Sequence, residues 1–100
     1  ELDRADHRLG TPEDVHILAS SENHHESFIL VPEEMLTHIT TWTGEPIDEL
    51  VRADMVYQKS ENGGQLFATG SITFCGSLLY NEGDNNISKL VANVFNRFLS

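Results

Sequence analysis

The sequence is poor in cysteine and in long apolar runs, and each shortage excludes a class of protein. A single cysteine, Cys75, cannot form an internal disulfide, so a disulfide-stapled scaffold is excluded and a reducing, cytoplasmic compartment is predicted. No apolar run approaches the roughly 20 residues that a membrane-spanning helix needs. With 39% hydrophobic and 22% charged residues, the chain has the composition of a folded globular domain.

Positive charge is also scarce, and its distribution divides the chain into two halves. Only 6 lysines and arginines stand against 16 acidic residues, which gives a net charge of −10. Residues 1–49 hold twelve of the acids and all five histidines, whereas residues 50–100 are balanced in charge. Because an acidic surface repels phosphate groups, neither nucleic acid nor an anionic membrane is an expected partner. A basic protein surface or a metal ion remains compatible.

The length of 100 residues suits one domain or a part of one. The chain begins at Glu1 without an initiator methionine or a basic, apolar leader, so we expect a fragment or a processed product. We interpret residues 1–100 as one unit. Its first half, residues 1–49, consists of strands and loops, and its second half, residues 50–100, consists of a hairpin and a final helix.

Short apolar runs predict two strands in the first half. Val15–Ala19 has strand length and ends in a polar loop, and Phe28–Val31 is a second candidate that Pro32 either stops or restricts to the edge of a sheet. Residues 1–14 show little periodicity and predict an irregular segment with one helical turn at most. For residues 33–36 the pattern leaves a helical turn and a strand equally open, and residues 37–49 suggest a loop or a weak strand.

The second half predicts a hairpin followed by an amphipathic helix. Runs rich in β-branched and aromatic residues, at 53–57 and 65–74, flank Asn62-Gly63-Gly64, which suits a tight turn. Asp84, Asn85 or Asn86 can cap the helix that follows. Its apolar residues recur with helical spacing at Ile87, Leu90, Val91, Val94, Phe95 and Phe98. We expect this stripe to dock the helix on the hairpin's sheet, which would make Phe95 a core residue.

Two groups of acidic residues and histidines are candidates for metal binding or for acid–base catalysis. Glu22, His24, His25 and Glu26 form the densest set of potential metal ligands, but adjacent histidines point apart in an extended chain, which favours solvated loop residues. Glu1, Asp3, Asp6 and His7 form a second set that suits either acid–base catalysis or a solvated surface.

Other motifs favour structural roles. Cys75 follows an apolar run, so the sequence favours a buried, inert cysteine over a nucleophile. The spacing of Gly70, Gly76 and Gly83 does not match a phosphate-binding loop, and nucleotide binding is not expected.

Nine short motifs, taken in order, point to one family. They are Glu1-Leu-Asp-Arg, Gly10-Thr-Pro, Leu18-Ala-Ser-Ser-Glu with His24, Glu33-Glu34, Arg52-Ala-Asp-Met-Val-Tyr, Gly63-Gly64, Gly70-Ser-Ile, Cys75-Gly-Ser-Leu and Asp84-Asn-Asn. Together they resemble the end of the N,N-dimethylformamidase large subunit and its relatives, over essentially the whole chain. Phe74 and Lys89 replace a frequent tryptophan and a frequent arginine, and both changes are conservative.

The resemblance implies a fold and an activity. Such enzymes hydrolyse a small N-substituted amide to an amine and a carboxylate, with an iron bound by tyrosine and glutamate upstream of this segment, in an assembly of large and small subunits. The family's C-terminal domain is similar to class I glutamine amidotransferases, an α/β fold of the flavodoxin-like kind. The resemblance places Glu1, in a Glu-x-Asp motif, at the edge of the active pocket, with His24 as the second candidate. It assigns no metal or cofactor ligand to this chain.

The sequence therefore leaves three hypotheses. The chain is the C-terminal part of an amidohydrolase, in contact with the rest of the large subunit and a small subunit, or it is a non-catalytic acidic interaction module. A small metal-binding domain built on Glu22, His24 and His25 is the third.

Overall fold

The computed structural model describes residues 1–31 and 47–100 of the chain. The expectations for residues 32–46, including those for Glu33 and Glu34, lie outside the described residues. The elements in order are a 3-10 turn (His7–Leu9), β1 (His16–Ser21), α1 (Ile47–Leu50), β2 (Ala53–Lys59), β3 (Gln65–Ala68), α2 (Phe74–Ser77), a 3-10 segment (Tyr80–Gly83) and α3 (Asn86–Leu99).

The three strands form an antiparallel sheet with β2 at its centre, in the order β1-β2-β3. The predicted hairpin is confirmed: the Ser60 N–H donates to the Gly64 carbonyl at 2.7 Å, and Gly63 takes a φ of 87°. The first predicted strand is confirmed as β1, which contains a bulge between Ile17 and Ala19. The described chain is thus a small α/β unit with a three-stranded sheet and a C-terminal helix.

Two predicted strands are wrong. β3 ends at Ala68 and does not continue to Phe74, because Gly70 takes a left-handed φ of 76° and the chain then turns into α2. Phe28–Val31 is irregular, with Leu30 buried and Ile29 exposed. Its apolar residues line a cavity and are not part of a strand. A short apolar run in a sequence is compatible with either environment.

The core is small and is centred on β2. Its buried apolar side chains are Leu30, Leu50, Ala53, Met55 and Tyr57. Two carboxylates, Asp6 and Asp54, are buried beside them. Buried charges are tolerated only when they are paired and hydrogen-bonded, so these two acids determine the structure around them.

Helix α3 begins with the predicted cap, which is supplied by Asn85 and forms a capping box with Ser88. The Asn85 side-chain oxygen accepts from the Ser88 N–H at 2.9 Å, and the Ser88 hydroxyl accepts from the Asn85 N–H at 3.2 Å. The Asn85 amide also donates to the Tyr80 carbonyl at 2.7 Å. The capping box satisfies the N–H groups of Ser88 and of the cap residue, which have no partner within the helix.

The sheet holds the other end of α3 through polar groups. The Arg97 Nε donates to the Tyr57 hydroxyl at 3.0 Å, and that hydroxyl donates to Gln65 Oε1 at 2.6 Å. The apolar stripe does not form a core: no residue of α3 is buried, and Phe95 is 61% exposed. The expectation that Phe95 is a core residue is therefore wrong, because helical spacing shows which side is apolar but not what covers it.

Candidate functional site

A cavity of about 510 Å³ lies where the N-terminal segment crosses the chain around residues 28–31 and 50–52. Its polar lining is Glu1, Asp3, Arg4, Asp6, Thr11 and Arg52, and its apolar lining is Leu2, Leu9, Phe28, Ile29, Leu30, Val31, Leu50 and Val51. A largely apolar wall with a few polar groups is typical of a small-molecule site, and the volume lies in the usual range.

The backbone of Asp3 joins the N-terminal segment to the end of the sheet. Its N–H donates to the Gly70 carbonyl at 2.8 Å, and its carbonyl accepts from the Asp54 N–H at 2.9 Å. Asp3 thus lies between the start of β2 and the bend that follows β3. Glu1 lies two residues before this anchored position and also lines the cavity.

The side chain of Asp54 also binds the N-terminal segment. It is buried, and it accepts from the Ala5 N–H at 2.8 Å, the Ser20 hydroxyl at 2.6 Å and Arg52 Nε at 3.1 Å. The other guanidinium nitrogens of Arg52 donate to the carbonyls of Ala5 and Glu49, both at 2.8 Å. An ion pair between the buried Asp54 and the half-buried Arg52 therefore joins the N-terminal segment, β1 and the end of α1.

A second buried carboxylate, Asp6, lies in the cavity lining. Its Oδ1 accepts from the N–H of Arg8 at 3.1 Å and from Arg8 Nε at 3.2 Å, and Arg4 Nε lies 3.5 Å from its Oδ2. Burial alone would raise the pKa of Asp6. Hydrogen bonds from the Arg8 side chain and backbone, with the charges of Arg8 and Arg4, outweigh burial and hold the pKa of Asp6 below its ordinary value.

The lowered pKa of Asp6 predicts an acid-sensitive contribution to stability. The ionised carboxylate stabilises the fold fully above the carboxyl's ordinary pKa of about 3.9, and this stabilisation is lost as the pH falls through the lower folded pKa. In unfolding measurements, Asp6→Asn should be less stable than the parent protein near neutrality. The gap between their free energies of unfolding should narrow as the pH falls through this range. A gap that is equally wide at every pH would contradict this assignment.

The structure places His24 behind the cavity wall. Its Nε2 lies 3.0 Å from the Ser21 hydroxyl, and its ring centroid lies 5.0 Å from that of Phe28, which lines the cavity. The Ser27 N–H donates to Nδ1 of His25 at 3.1 Å, so the two adjacent histidines have separate partners. Over residues 1–31 and 47–100, no three His, Cys, Asp or Glu side chains converge as a metal site.

The burial predicted for Cys75 is wrong as well. It is exposed on the short helix α2 and is not buried after a strand. The cause is the left-handed bend at Gly70, which ends the strand before the cysteine is reached. Cys75 also lies outside the residues that line the cavity.

Sequence reasoning missed the Arg52 and Asp54 pair as a part of the site. The signal was present, because residues i and i+2 of an extended chain lie on the same side, and an oppositely charged pair at a strand's start favours an ion pair. What the sequence lacks is any indication that Ala5 and Ser20 reach the same carboxylate.

In the part of the chain that the structure describes, no helix is long and apolar enough to cross a membrane.

Comparison with known proteins identifies the family. The model of the family "N,N-dimethylformamidase beta subunit-like, C-terminal" matches residues 1–87. The N,N-dimethylformamidase beta subunit of an Alcaligenes species is 44% identical over 100 residues, and that of Paracoccus aminophilus is 41% identical over 100 residues. In both cases the match covers 99% of this chain and 13% of the relative, so the chain spans about one eighth of their length. The resemblance seen in the motifs is confirmed, and the chain belongs to the N,N-dimethylformamidase beta subunit-like, C-terminal family.

Proposed function

We propose that this chain is the C-terminal segment of an amidohydrolase that cleaves a small N-substituted amide to an amine and a carboxylate. Its own role is mainly that of a scaffold and subunit contact, with one carboxylate, Glu1, at the reaction site. The observation that carries the proposal is that Glu1 lines the cavity in a chain whose relatives are named N,N-dimethylformamidase.

The cavity's chemistry suits such a substrate. The side chains of Leu2, Leu9 and Phe28 offer apolar surface for N-alkyl groups, which have no polar atoms to satisfy. The Glu1 carboxylate can accept a proton from an attacking water and return it to the departing amine. His24 is the second candidate, and since it touches Phe28 we propose that it positions this wall of the cavity.

The iron implied by the resemblance is proposed to lie outside this chain. In residues 1–31 and 47–100 no three His, Cys, Asp or Glu side chains converge, and the Tyr57 hydroxyl is already hydrogen-bonded to Gln65 and Arg97. We derive no step through the metal. The chain's contribution is to hold the Glu1 carboxylate in place through Asp3 and Asp54.

The wider assembly is also part of the proposal. The relatives are named as beta subunits, which supports an enzyme of more than one kind of subunit, and we propose contacts with the rest of the large subunit and with a small subunit. The larger domain is proposed to be similar to class I glutamine amidotransferases, on the strength of the family resemblance. A cytoplasmic location is proposed from the single cysteine.

Replacement of Glu1 by glutamine in the intact enzyme tests the catalytic role. Glutamine keeps the size of the side chain but cannot carry the proton, so kcat should fall by about 10²-fold to 10⁴-fold with unchanged iron content. The matched control is Glu13→Gln, which makes the same change at a carboxylate that is 89% exposed and outside the cavity lining, and it should leave kcat unchanged. An unchanged kcat in Glu1→Gln would remove Glu1 from the reaction.

The alternative function is a non-catalytic acidic interaction module. The net charge of −10, concentrated in residues 1–49, favours a basic partner surface. The two functions are distinguished in the full-length protein. Amide hydrolysis supports the enzyme, whereas the absence of hydrolysis together with salt-sensitive binding to a basic protein supports the module.

A further inference from the structure

Helix α3 presents an apolar surface that the described chain does not cover. We call this surface the α3 face, and it consists of Ile87, Leu90, Val91, Val94, Phe95 and Phe98. The first four side chains are half-buried, whereas Phe95 is 61% and Phe98 is 38% exposed. Burial of one such side chain is worth about 1.5 to 3 kcal/mol, so much of the stabilisation available to this helix is not realised within residues 1–31 and 47–100.

The ends of the helix are nevertheless fixed in position. Asn85 ties its N-terminus to the Tyr80 carbonyl at 2.7 Å, and Arg97 ties its last turn to the Tyr57 hydroxyl at 3.0 Å. The Gln65 amide donates to the Arg97 carbonyl at 3.3 Å and adds a second contact to the sheet. The α3 face is therefore held in a defined orientation by polar groups at both ends. A preorganised apolar face is the usual form of a docking surface.

The charged side chains of helix α3 already have partners within the described chain. Lys89 forms an ion pair with Asp84 at 3.2 Å, and Arg97 already donates to Tyr57. The α3 face itself contains only aliphatic and aromatic side chains. What covers it should therefore be apolar as well, with the character of a protein interior.

We propose that the α3 face packs against the preceding part of the same large-subunit polypeptide. The family model describes a C-terminal part, and the relatives are nearly eight times as long as the region matched. A long part of the same polypeptide is therefore available to pack against the α3 face. A tethered segment has an effective concentration in the millimolar range, which a small subunit or a second copy in dilute solution does not reach. The proposal deepens the scaffold role and rests on it, but it does not depend on Glu1 or on the reaction.

Site-specific photo-cross-linking in the intact enzyme tests the proposal. Phe95 is replaced by p-benzoylphenylalanine, the enzyme is irradiated, and the cross-linked peptides are identified by mass spectrometry. The control places the same group at Asn96, which lies about 100° around the helix from Phe95 and outside the α3 face. We expect the Phe95 position to cross-link to large-subunit peptides that precede this chain, in a yield several-fold above that of Asn96.

Isotope labelling separates the possible partners. Enzyme assembled from a mixture of ¹⁴N and ¹⁵N large subunits should give cross-links of one isotope only, because both peptides belong to one polypeptide. Mixed-isotope cross-links would show a second copy, cross-links to the small subunit would show that partner, and an equal yield at Asn96 would show an uncovered helix. Each of these three results overturns the proposal.

A pair of charge substitutions gives an independent readout. Phe95→Asp should speed hydrogen exchange of the α3 amides at least tenfold in the intact enzyme, whereas Asn96→Asp should change it less than twofold. Equal effects of the two substitutions would contradict a covered α3 face. If Glu1→Gln keeps full activity while the cross-links appear as expected, the catalytic proposal fails and the docking proposal stands.

Discussion

Replacement of Gly70 by alanine is expected to destabilise the sheet by about 2 to 5 kcal/mol. A left-handed φ costs a residue with a side chain about 1 to 2 kcal/mol, and crowding in a packed site adds about 1 to 3 kcal/mol. Gly70 has a φ of 76°, and a Cβ placed there would lie 2.5 Å from the Asp54 carbonyl oxygen and 2.9 Å from its carbon. Both atoms belong to the backbone of the central strand, so neither can move without disturbing the sheet.

The control for this substitution is Gly63→Ala in the hairpin turn. Gly63 also has a positive φ, 87°, but a Cβ there would meet nothing within 4 Å, so only the conformational cost of about 1 to 2 kcal/mol applies. Hydrogen exchange of the β2 amides in the intact subunit gives the local free energy for both variants. Equal losses would mean that the backbone of Asp54 does not approach Gly70 as the structure has it.

Replacement of Asp54 by asparagine is expected to cost about 2 to 4 kcal/mol, because it removes the buried charge that pairs with a half-buried arginine. The Arg52 guanidinium would lose its counter-charge. An amide also has one oxygen where the carboxylate has two, so it cannot accept from the Ala5 N–H, the Ser20 hydroxyl and Arg52 together. The N-terminal segment should then detach from β2, and on the proposed role of Glu1 kcat should fall as well.

Exchange of the Ala5 amide measures this detachment directly, since that amide donates to Asp54 Oδ2. The matched control is Asp84→Asn, which removes a carboxylate paired with Lys89 at 3.2 Å on the surface, where both side chains are more than two-thirds exposed. Exposed pairs are worth at most about 1 kcal/mol, so this control should change little. If Asp54→Asn costs no more than Asp84→Asn, the buried network does not hold the segment.

The parts of the fold that the sequence predicts well depend on neighbours in the chain. The hairpin follows from a turn of asparagine and glycine between two apolar runs, and the start of α3 follows from the cap at Asn85. The extension of β3 to Phe74 failed for a non-local reason. Gly70 bends the chain because the backbone of Asp54 lies against it, and nothing near Gly70 in the sequence reveals that contact.

In the candidate site, too, the sequence predicts local features and misses contacts between distant residues. Glu1 was found through a motif resemblance, and the structure places it in the cavity lining. The bonds that hold it join residues far apart in the chain, such as Ala5 with Asp54, which are 49 residues apart. Composition and periodicity carry no information about such a meeting. Burial of Phe95 was mispredicted because an apolar stripe specifies a side of a helix and leaves the partner unspecified.

The two backbone bonds of Asp3 set an order of events during protein synthesis. Asp3 is synthesised 51 residues before Asp54 and 67 residues before Gly70, its two partners. The backbone beside Glu1 is therefore fixed only after Gly70 has emerged and the sheet has formed. A subunit whose translation stops before Gly70 would keep every residue proposed to touch the substrate and still lack the support that places Glu1.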